Sequence, residues 1–280
     1  MTHTASTTVD LDQLLAAAHD LALSGRWERA LGILDTTVCA TPEDRARLAL
    51  ATAEAALLSD WFGGTDLTAA RAARAEKEAP GADWDLGFIR LRHDYRCLLV
   101  SDGVFRPGPE GKDPEALAGI RRTAHGLRES APDEVRRGWA SMYLGLIVDN
   151  LSAERAAAPA HYEDALRAGD AGGDDLLSRE ALRHLGDHAH DGGDHVRAAE
   201  CWERATALGA RAGLVPGVLS QQLLLAVLAR DTGDEAGARA LATEVARWAE
   251  ALGAHRLHAQ TTGFLAGVDP TAAPPSENKA

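Results

Sequence analysis

The sequence contains few of the residues that favour β-strands. Aromatic residues make up only 5% of its 280 residues, although hydrophobic residues of all kinds make up 45%. Strands are enriched in aromatic and β-branched side chains, whereas the alanine and leucine that dominate this sequence favour helices. The composition therefore argues against a mainly β fold and predicts an all-α protein.

Cysteine and positive charge are scarce as well. The three cysteines, Cys39, Cys97 and Cys201, are far apart and form no Cys-x-x-Cys pair, so we expect neither a disulfide framework nor a thiolate zinc site. The formal net charge of -13 repels phosphate groups, and no run of lysine and arginine offsets it. The sequence thus predicts no binding to nucleic acid and none to anionic membrane surfaces.

Segments that direct a protein to a membrane are missing too. The first nine residues are polar and rich in threonine, without the basic and apolar regions of a secretory signal. The longest apolar run, 223–229, is much shorter than the roughly 20 residues of a membrane-spanning helix. We therefore expect no membrane insertion and a cytoplasmic location.

Catalytic and cofactor motifs are also absent from the sequence. It contains no His-Glu-x-x-His, no Gly-x-Ser-x-Gly and no Gly-x-Gly-x-x-Gly. The nearest approach to a phosphate-binding loop ends in Gly111 and Lys112, but Arg106 replaces its first glycine and Asp113 replaces its Ser or Thr. We therefore predict no catalytic residue, no cofactor and no metal ion.

The positive signal is a repeat of small residues. Alanines that lie early in the second helix of each expected helix pair are spaced by 40, 48, 40, 40 and 40 residues: Ala30, Ala70, Ala118, Ala158, Ala198 and Ala238. The one long interval contains 101–113, a stretch rich in glycine and proline that we expect to be looped out. Its apolar residues Val104 and Phe105 are expected either to pack back onto the helices or to dock a partner.

The spacing of motifs divides the chain into one domain and two tails. We predict a disordered N-terminal tail at 1–9, a single helical-repeat domain at 10–267 with the loop insertion, and a disordered C-terminal tail at 268–280. The last helix of the domain, within 255–267, would cap the end of the array, because a terminal repeat has no further neighbour to bury its apolar face.

The fifth unit carries a recognisable repeat signature. Its residues at characteristic spacings are Leu185, Gly186, Ala189, Gly193, Ala198, Trp202 and Ala205. They resemble the tetratricopeptide repeat, and the longer period resembles the arrays of about 40 residues in sensor regions of bacterial regulatory ATPases. The resemblance implies a right-handed α-solenoid of about six helix-turn-helix repeats with a C-terminal capping helix.

The same resemblance implies a function, which is non-catalytic binding of a protein or peptide as a scaffold or regulatory adaptor. In that family the first helix of each pair lines a concave groove. Carried over in register, the groove residues are Tyr143, Ile147 and Asn150 in unit four, Arg183, Asp187, His190 and Asp191 in unit five, and Leu223, Val227, Arg230 and Asp231 in unit six. Such a mixture of charged and apolar side chains suits an extended peptide or a helix.

Two other functions are motivated by the ionisable residues around the fifth unit. These residues are His184, Asp187, His188, His190, Asp191, Asp194 and His195. Because His184 and His188 share a helix face, the cluster is compatible with a small-molecule or metal sensor, or with an enzyme that has a His/Asp pocket between repeats. The simpler interpretation is a solvated polar face.

One helix carries a regular apolar stripe. Its members alternate in steps of four and three residues: Trp84, Phe88, Leu91, Tyr95 and Leu98. We expect this stripe to be a packing face of the helix.

Overall fold

The computed structural model describes residues 9–78, 83–101 and 103–270. Helices account for 79% of the described residues, which confirms the predicted all-α helical-repeat solenoid. The described residues form thirteen α-helices: α1 (Leu11–Leu23), α2 (Trp27–Thr36), α3 (Pro42–Phe62), α4 (Thr68–Glu78), α5 (Asp83–Leu99), α6 (Pro114–Glu129), α7 (Glu134–Asn150), α8 (Ala158–Gly172), α9 (Asp175–Asp191), α10 (His195–Arg211), α11 (Val215–Asp231), α12 (Glu235–Leu252) and α13 (His255–Leu265).

Side-chain caps and glycines explain where many of these helices begin and end. Asp174 and Asp194 accept hydrogen bonds from backbone N–H groups in the first turns of α9 and α10. The turn between these two helices contains Gly193 with φ of 78°, a conformation that residues with a side chain rarely adopt. The helices therefore alternate with short turns, and consecutive helices pack as neighbours.

Burial shows which residues occupy equivalent positions in the second helix of each unit. In α10, Ala198, Trp202 and Ala205 are fully buried at relative positions 0, 4 and 7. The same spacing of buried residues begins at Thr68 in α4 and at Ile120 in α6. It begins at Ala158 in α8 and at Ala238 in α12, as the sequence predicts.

Two of the six predicted repeat positions need correction as a result. Ala70 and Ala118 are exposed and do not lie at the contact between paired helices. With Thr68 and Ile120 in their places, the positions 30, 68, 120, 158, 198 and 238 are separated by 38, 52, 38, 40 and 40 residues. The predicted alanines lie in the expected helices. The repeat is defined by which residue is buried at the helix contact, and this residue need not be alanine.

The long interval contains a small hairpin. Val100–Ser101 pairs antiparallel with Val104–Phe105, so part of the predicted loop insertion is ordered as two short strands. Beyond the hairpin, Lys112 Nζ donates a hydrogen bond to the backbone carbonyl of Arg106 at 2.7 Å. The predicted disordered tails include 1–8 and 271–280, which lie outside the described residues.

The two ends of the array pack against each other. A single hydrophobic cluster joins buried residues of α1, α2 and α3 with buried residues of α11, α12 and α13. At the turn between α1 and α2, a Cβ atom added to Gly25 would lie 3.4 Å from Pro216 and 3.5 Å from Leu252. The first unit therefore contacts the last, and the first helices of the units surround a common interior.

A candidate ligand-binding cavity

The interior of the array is a cavity of about 1360 Å³. Every odd-numbered helix, from α1 to α13, contributes side chains to its wall. These are the first helices of the six units together with the capping helix, which is the set that the repeat architecture places on the concave side. The hairpin contributes Phe105, and the end of the described chain contributes Asp269 and Pro270.

Aromatic residues are concentrated on this wall. The chain has thirteen of them, and nine line the cavity: Trp61, Phe62, Trp84, Phe88, Tyr95, Phe105, Trp139, Tyr143 and Trp202. The rings contact one another, since Tyr143 meets both Phe88 and Tyr95 edge-on, with ring centroids 5.4 and 5.5 Å apart. Aromatic side chains offer a large contact area at a low entropic cost, which is typical of binding surfaces.

Charged side chains line the same wall, and most of them form ion pairs. Arg92 Nη1 lies 2.5 Å from Glu54 Oε1, and this carboxylate raises the pKa of Arg92 although burial opposes the charge. Deeper along the wall, Arg179 pairs with Glu180. Burial disfavours the charged form of Glu180, but Arg179 and neighbouring cations hold its pKa well below its usual range. The cavity wall therefore carries ionised groups in fixed positions.

Two tyrosines stay protonated in this setting. Asn150 Nδ2 donates a hydrogen bond to Tyr95 Oη at 2.8 Å, and burial raises the pKa of Tyr95 far above its usual value. Burial raises the pKa of Tyr143 to about 12, even though the nearby Arg92 favours the phenolate. Both rings thus present neutral hydroxyl groups at physiological pH.

The predicted groove residues separate into two sets. Six of the eleven line the cavity: Tyr143, Asn150, Arg183, Asp187, His190 and Asp191. Ile147, Leu223 and Val227 are at most 3% exposed and pack within the hydrophobic core, so they do not form part of the wall. Arg230 and Asp231 lie outside the lining, where Arg230 stacks on the ring of Phe264 at 4.4 Å.

The cluster of histidines and aspartates is divided into pairs. His188 Nε2 lies 2.9 Å from Asp149 Oδ2, and His190 Nε2 lies 2.9 Å from Asp231 Oδ2. His184 stacks on the ring of Tyr162. Among the described residues, no three His, Cys, Asp or Glu side chains come together in a way that could hold a metal ion. The histidines of α9 thus form separate contacts along the helix instead of a single metal-binding cluster.

Asp149 is the centre of the most buried of these networks. It accepts a hydrogen bond from Tyr162 Oη at 3.0 Å, and Arg155 Nε lies 3.1 Å away. Burial raises the pKa of Asp149, but the hydrogen bond with His188 and the surrounding positive groups hold it below its usual range. This carboxylate therefore joins α7, α8 and α9 beside the cavity.

Several wall residues were not predicted from the sequence. Glu54 and Arg92 come from the first half of the chain, and Arg179, Glu180 and Arg256 come from the second. The aromatic stripe on α5 was a sequence pattern that could have indicated the cavity wall. Its residues Trp84, Phe88 and Tyr95 face the cavity in addition to packing against other rings. The positions of the arginines depend on how the units curve, which a repeat pattern does not specify.

Comparison with known proteins yields no family. No protein-family model matches this sequence, and no curated protein matches it. The resemblance to the tetratricopeptide repeat consequently stays a prediction. In the part of the chain that the structure describes, every helix is too short or too polar to cross a bilayer.

Proposed function

We propose that this chain is a non-catalytic binding protein of the tetratricopeptide type that holds a peptide in its central cavity and acts as a regulatory adaptor in the cytoplasm. The observation that carries the proposal is the concentration of nine of the thirteen aromatic residues on the cavity wall. Aromatic residues are rare in the rest of the sequence, so their concentration on this wall favours a surface that contacts a ligand.

The size of the cavity favours a peptide over a smaller ligand. Its volume of about 1360 Å³ exceeds the range of roughly 300–1,000 Å³ that is typical of small-molecule sites. Because the first and last units contact each other, the concave surface is not an open groove for a folded domain. A short extended segment meets both conditions, and paired charges with aromatic rings would bind its backbone and side chains.

Selection from a random peptide library displayed on phage would test this proposal. The immobilised protein would be wild type, Ser220→Trp or Thr243→Trp. Ser220 lines the cavity, so a tryptophan there fills part of its volume, whereas Thr243 is exposed on α12 and serves as a matched control. We expect wild type and Thr243→Trp to enrich the same sequence motif and Ser220→Trp to enrich none.

Two results would contradict the proposal. Equal enrichment by Ser220→Trp would show that peptides bind outside the cavity. No enrichment by any of the three proteins would argue against a peptide ligand, and native mass spectrometry of protein purified from its host would then show whether a small molecule occupies the site. Circular dichroism of the three proteins establishes that each is folded before selection.

A further inference from the structure

One arginine on the cavity wall differs from all the others. Arg256, near the start of α13, faces the cavity and is half-buried. Its guanidinium lies over the ring of Phe105, 5.4 Å from the centroid, but no carboxylate among the described residues pairs with it. A cation that loses water on folding without gaining a counter-charge destabilises the folded state.

The remaining arginines of the wall all have carboxylate partners. Arg92 pairs with Glu54, and Arg179 pairs with Glu180. Arg136, Arg155 and Arg183 likewise lie within 4 Å of an aspartate: Asp85 at 2.8 Å, Asp149 at 3.1 Å and Asp187 at 3.9 Å. Arg256 is therefore the exception in a wall whose other described arginines are neutralised.

Other positive groups lie close to Arg256. Burial lowers the pKa of Arg256, and the charges of Arg183 and Arg96 lower it further. Within the described part of the chain Arg96 has no carboxylate partner, and its guanidinium donates to the backbone carbonyls of Asp60 and Thr65 at 3.0 and 3.1 Å. Arg256 and Arg96 thus add positive charge beside Arg183, in a protein with a net charge of -13.

We propose that the ligand of this cavity carries an oxyanion, a carboxylate or a phosphate group, that binds between the guanidinium groups of Arg256 and Arg183. This inference rests on the proposed function and specifies the chemistry of the ligand. Guanidinium groups bind planar and tetrahedral oxyanions through paired N–H donors, and Arg256 has its donors free of any carboxylate in the described chain. The Phe105 ring under Arg256 holds the guanidinium plane in place.

The test uses thermal unfolding of the full chain with defined anions. Inorganic phosphate and citrate are titrated separately, with sodium chloride at matched ionic strength as the reference. The proteins are wild type, Arg256→Gln, Arg256→Lys and Arg247→Gln. Arg247 is a matched control because its side chain is 71% exposed on α12 and pairs with Glu244.

We expect at least one anion to raise the Tm of wild type and Arg247→Gln by about 2 to 4 °C more than that of Arg256→Gln. Comparison with the variant is needed because phosphate stabilises folded proteins in general. Arg256→Lys should retain part of the shift in Tm, since lysine keeps the positive charge but lacks the planar pair of N–H donors of a guanidinium group. A response to phosphate alone indicates a phosphorylated ligand, and a response to citrate alone indicates a carboxylate.

The ligand-free proteins give an independent readout. If Arg256 is an unpaired anion-binding group, Arg256→Gln removes repulsion and raises the Tm in chloride. If Arg256 serves only to pack on Phe105, the substitution lowers the Tm. Equal anion shifts in wild type and Arg256→Gln, or no shift in wild type, would overturn the proposal.

Failure of this inference can be told apart from failure of the proposed function. Peptides selected on wild type should bind Arg256→Gln about tenfold more weakly, because a charge-assisted contact is lost. If the peptides bind wild type and Arg256→Gln equally, the cavity remains a candidate peptide site and the proposed oxyanion contact is wrong. If no peptide is selected but the anion shift depends on Arg256, the proposed function fails and the oxyanion site stands.

Discussion

The second half of the array is more regular than the first. In α8, α10 and α12 the buried contact residues recur at the same relative positions and begin with an alanine each time: Ala158, Ala198 and Ala238. In α4 and α6 the same positions begin with Thr68 and Ile120, and the alanines two residues away from them are exposed. The fold of each unit therefore depends on a buried contact that several residue types can make.

One ion pair from each half shows how much the burial of such pairs differs within the molecule. In the second half, Asp149 has 7% of its side chain exposed and joins three helices. In the first half, Arg71 forms two hydrogen bonds with Asp35 at 2.6 and 2.7 Å, but both side chains are partly exposed to solvent. A buried charge whose partner is removed destabilises the protein far more than an exposed one.

Among the predicted effects, replacing Asp149 and Asp35 should produce the largest difference in the free energy of unfolding between the two halves. Asp149→Asn removes the buried carboxylate that contacts His188 and Tyr162, and one of the two carboxylates that contact Arg155, so we expect the free energy of unfolding to fall by about 3 kcal/mol. Asp35→Asn removes a solvent-exposed pair and should cost less than about 1 kcal/mol. Urea-induced unfolding at pH 7 measures both values. Similar values for the two variants would mean that Asp149 is solvated and that the contrast in burial has no energetic consequence.

The same substitution predicts a change in acid stability. Because the pKa of Asp149 is lower in the folded protein than in the unfolded chain, its charge stabilises the fold above the usual aspartate pKa of about 3.9. That stabilisation is lost as the pH falls through the folded pKa. The difference in unfolding free energy between wild type and Asp149→Asn should therefore be constant near neutral pH and shrink below about pH 4. A difference that stays constant down to pH 2 would contradict the assigned role.

A smaller effect would test the corrected repeat positions. Ala198 is fully buried between paired helices, whereas Ala118 is exposed, although the alanine period treats them as equivalent. Ala198→Leu should overpack its contact and lower the unfolding free energy by about 1 to 3 kcal/mol. Ala118→Leu should change it by no more than about 0.5 kcal/mol. Equal losses in both variants would restore the predicted alanine positions, which are 40 residues apart except for one interval of 48.

The fold was predictable because repeated helix pairs leave a local signal. Composition and period identify helices and units, and the turn at Gly193 requires a residue that tolerates positive φ. The contact between the two ends was not predictable. It depends on small rotations between successive units, and these accumulate over the array to bring Gly25 close to Pro216 and Leu252.

The candidate site was predictable only in part, for a related reason. Register along one helix places Arg183 and Asp187 on the concave side, and both line the cavity. The same register also selected Leu223 and Val227, which are buried against the first units because the array closes at that point. Arg256 has no motif around it, and its importance arises because no carboxylate in the described chain pairs with it, which only the packed structure reveals.

The smallest predicted effect concerns two glycines within helices of different halves. A Cβ atom added to Gly32 in α2 meets nothing within 4 Å, so Gly32→Ala should raise the unfolding free energy by about 0.5 to 1 kcal/mol through helix propensity alone. At Gly186 in α9 an added Cβ would overlap the ring of Trp202, and Gly186→Ala should lower stability by about 1 kcal/mol. Urea-induced unfolding measures both changes. The free energy of unfolding should rise in Gly32→Ala and fall in Gly186→Ala if close helix packing requires glycine in unit five but not in unit one. A gain in stability at both positions would mean that Trp202 moves away at little cost, and that the regular half of the array is less tightly packed than its repeat pattern implies.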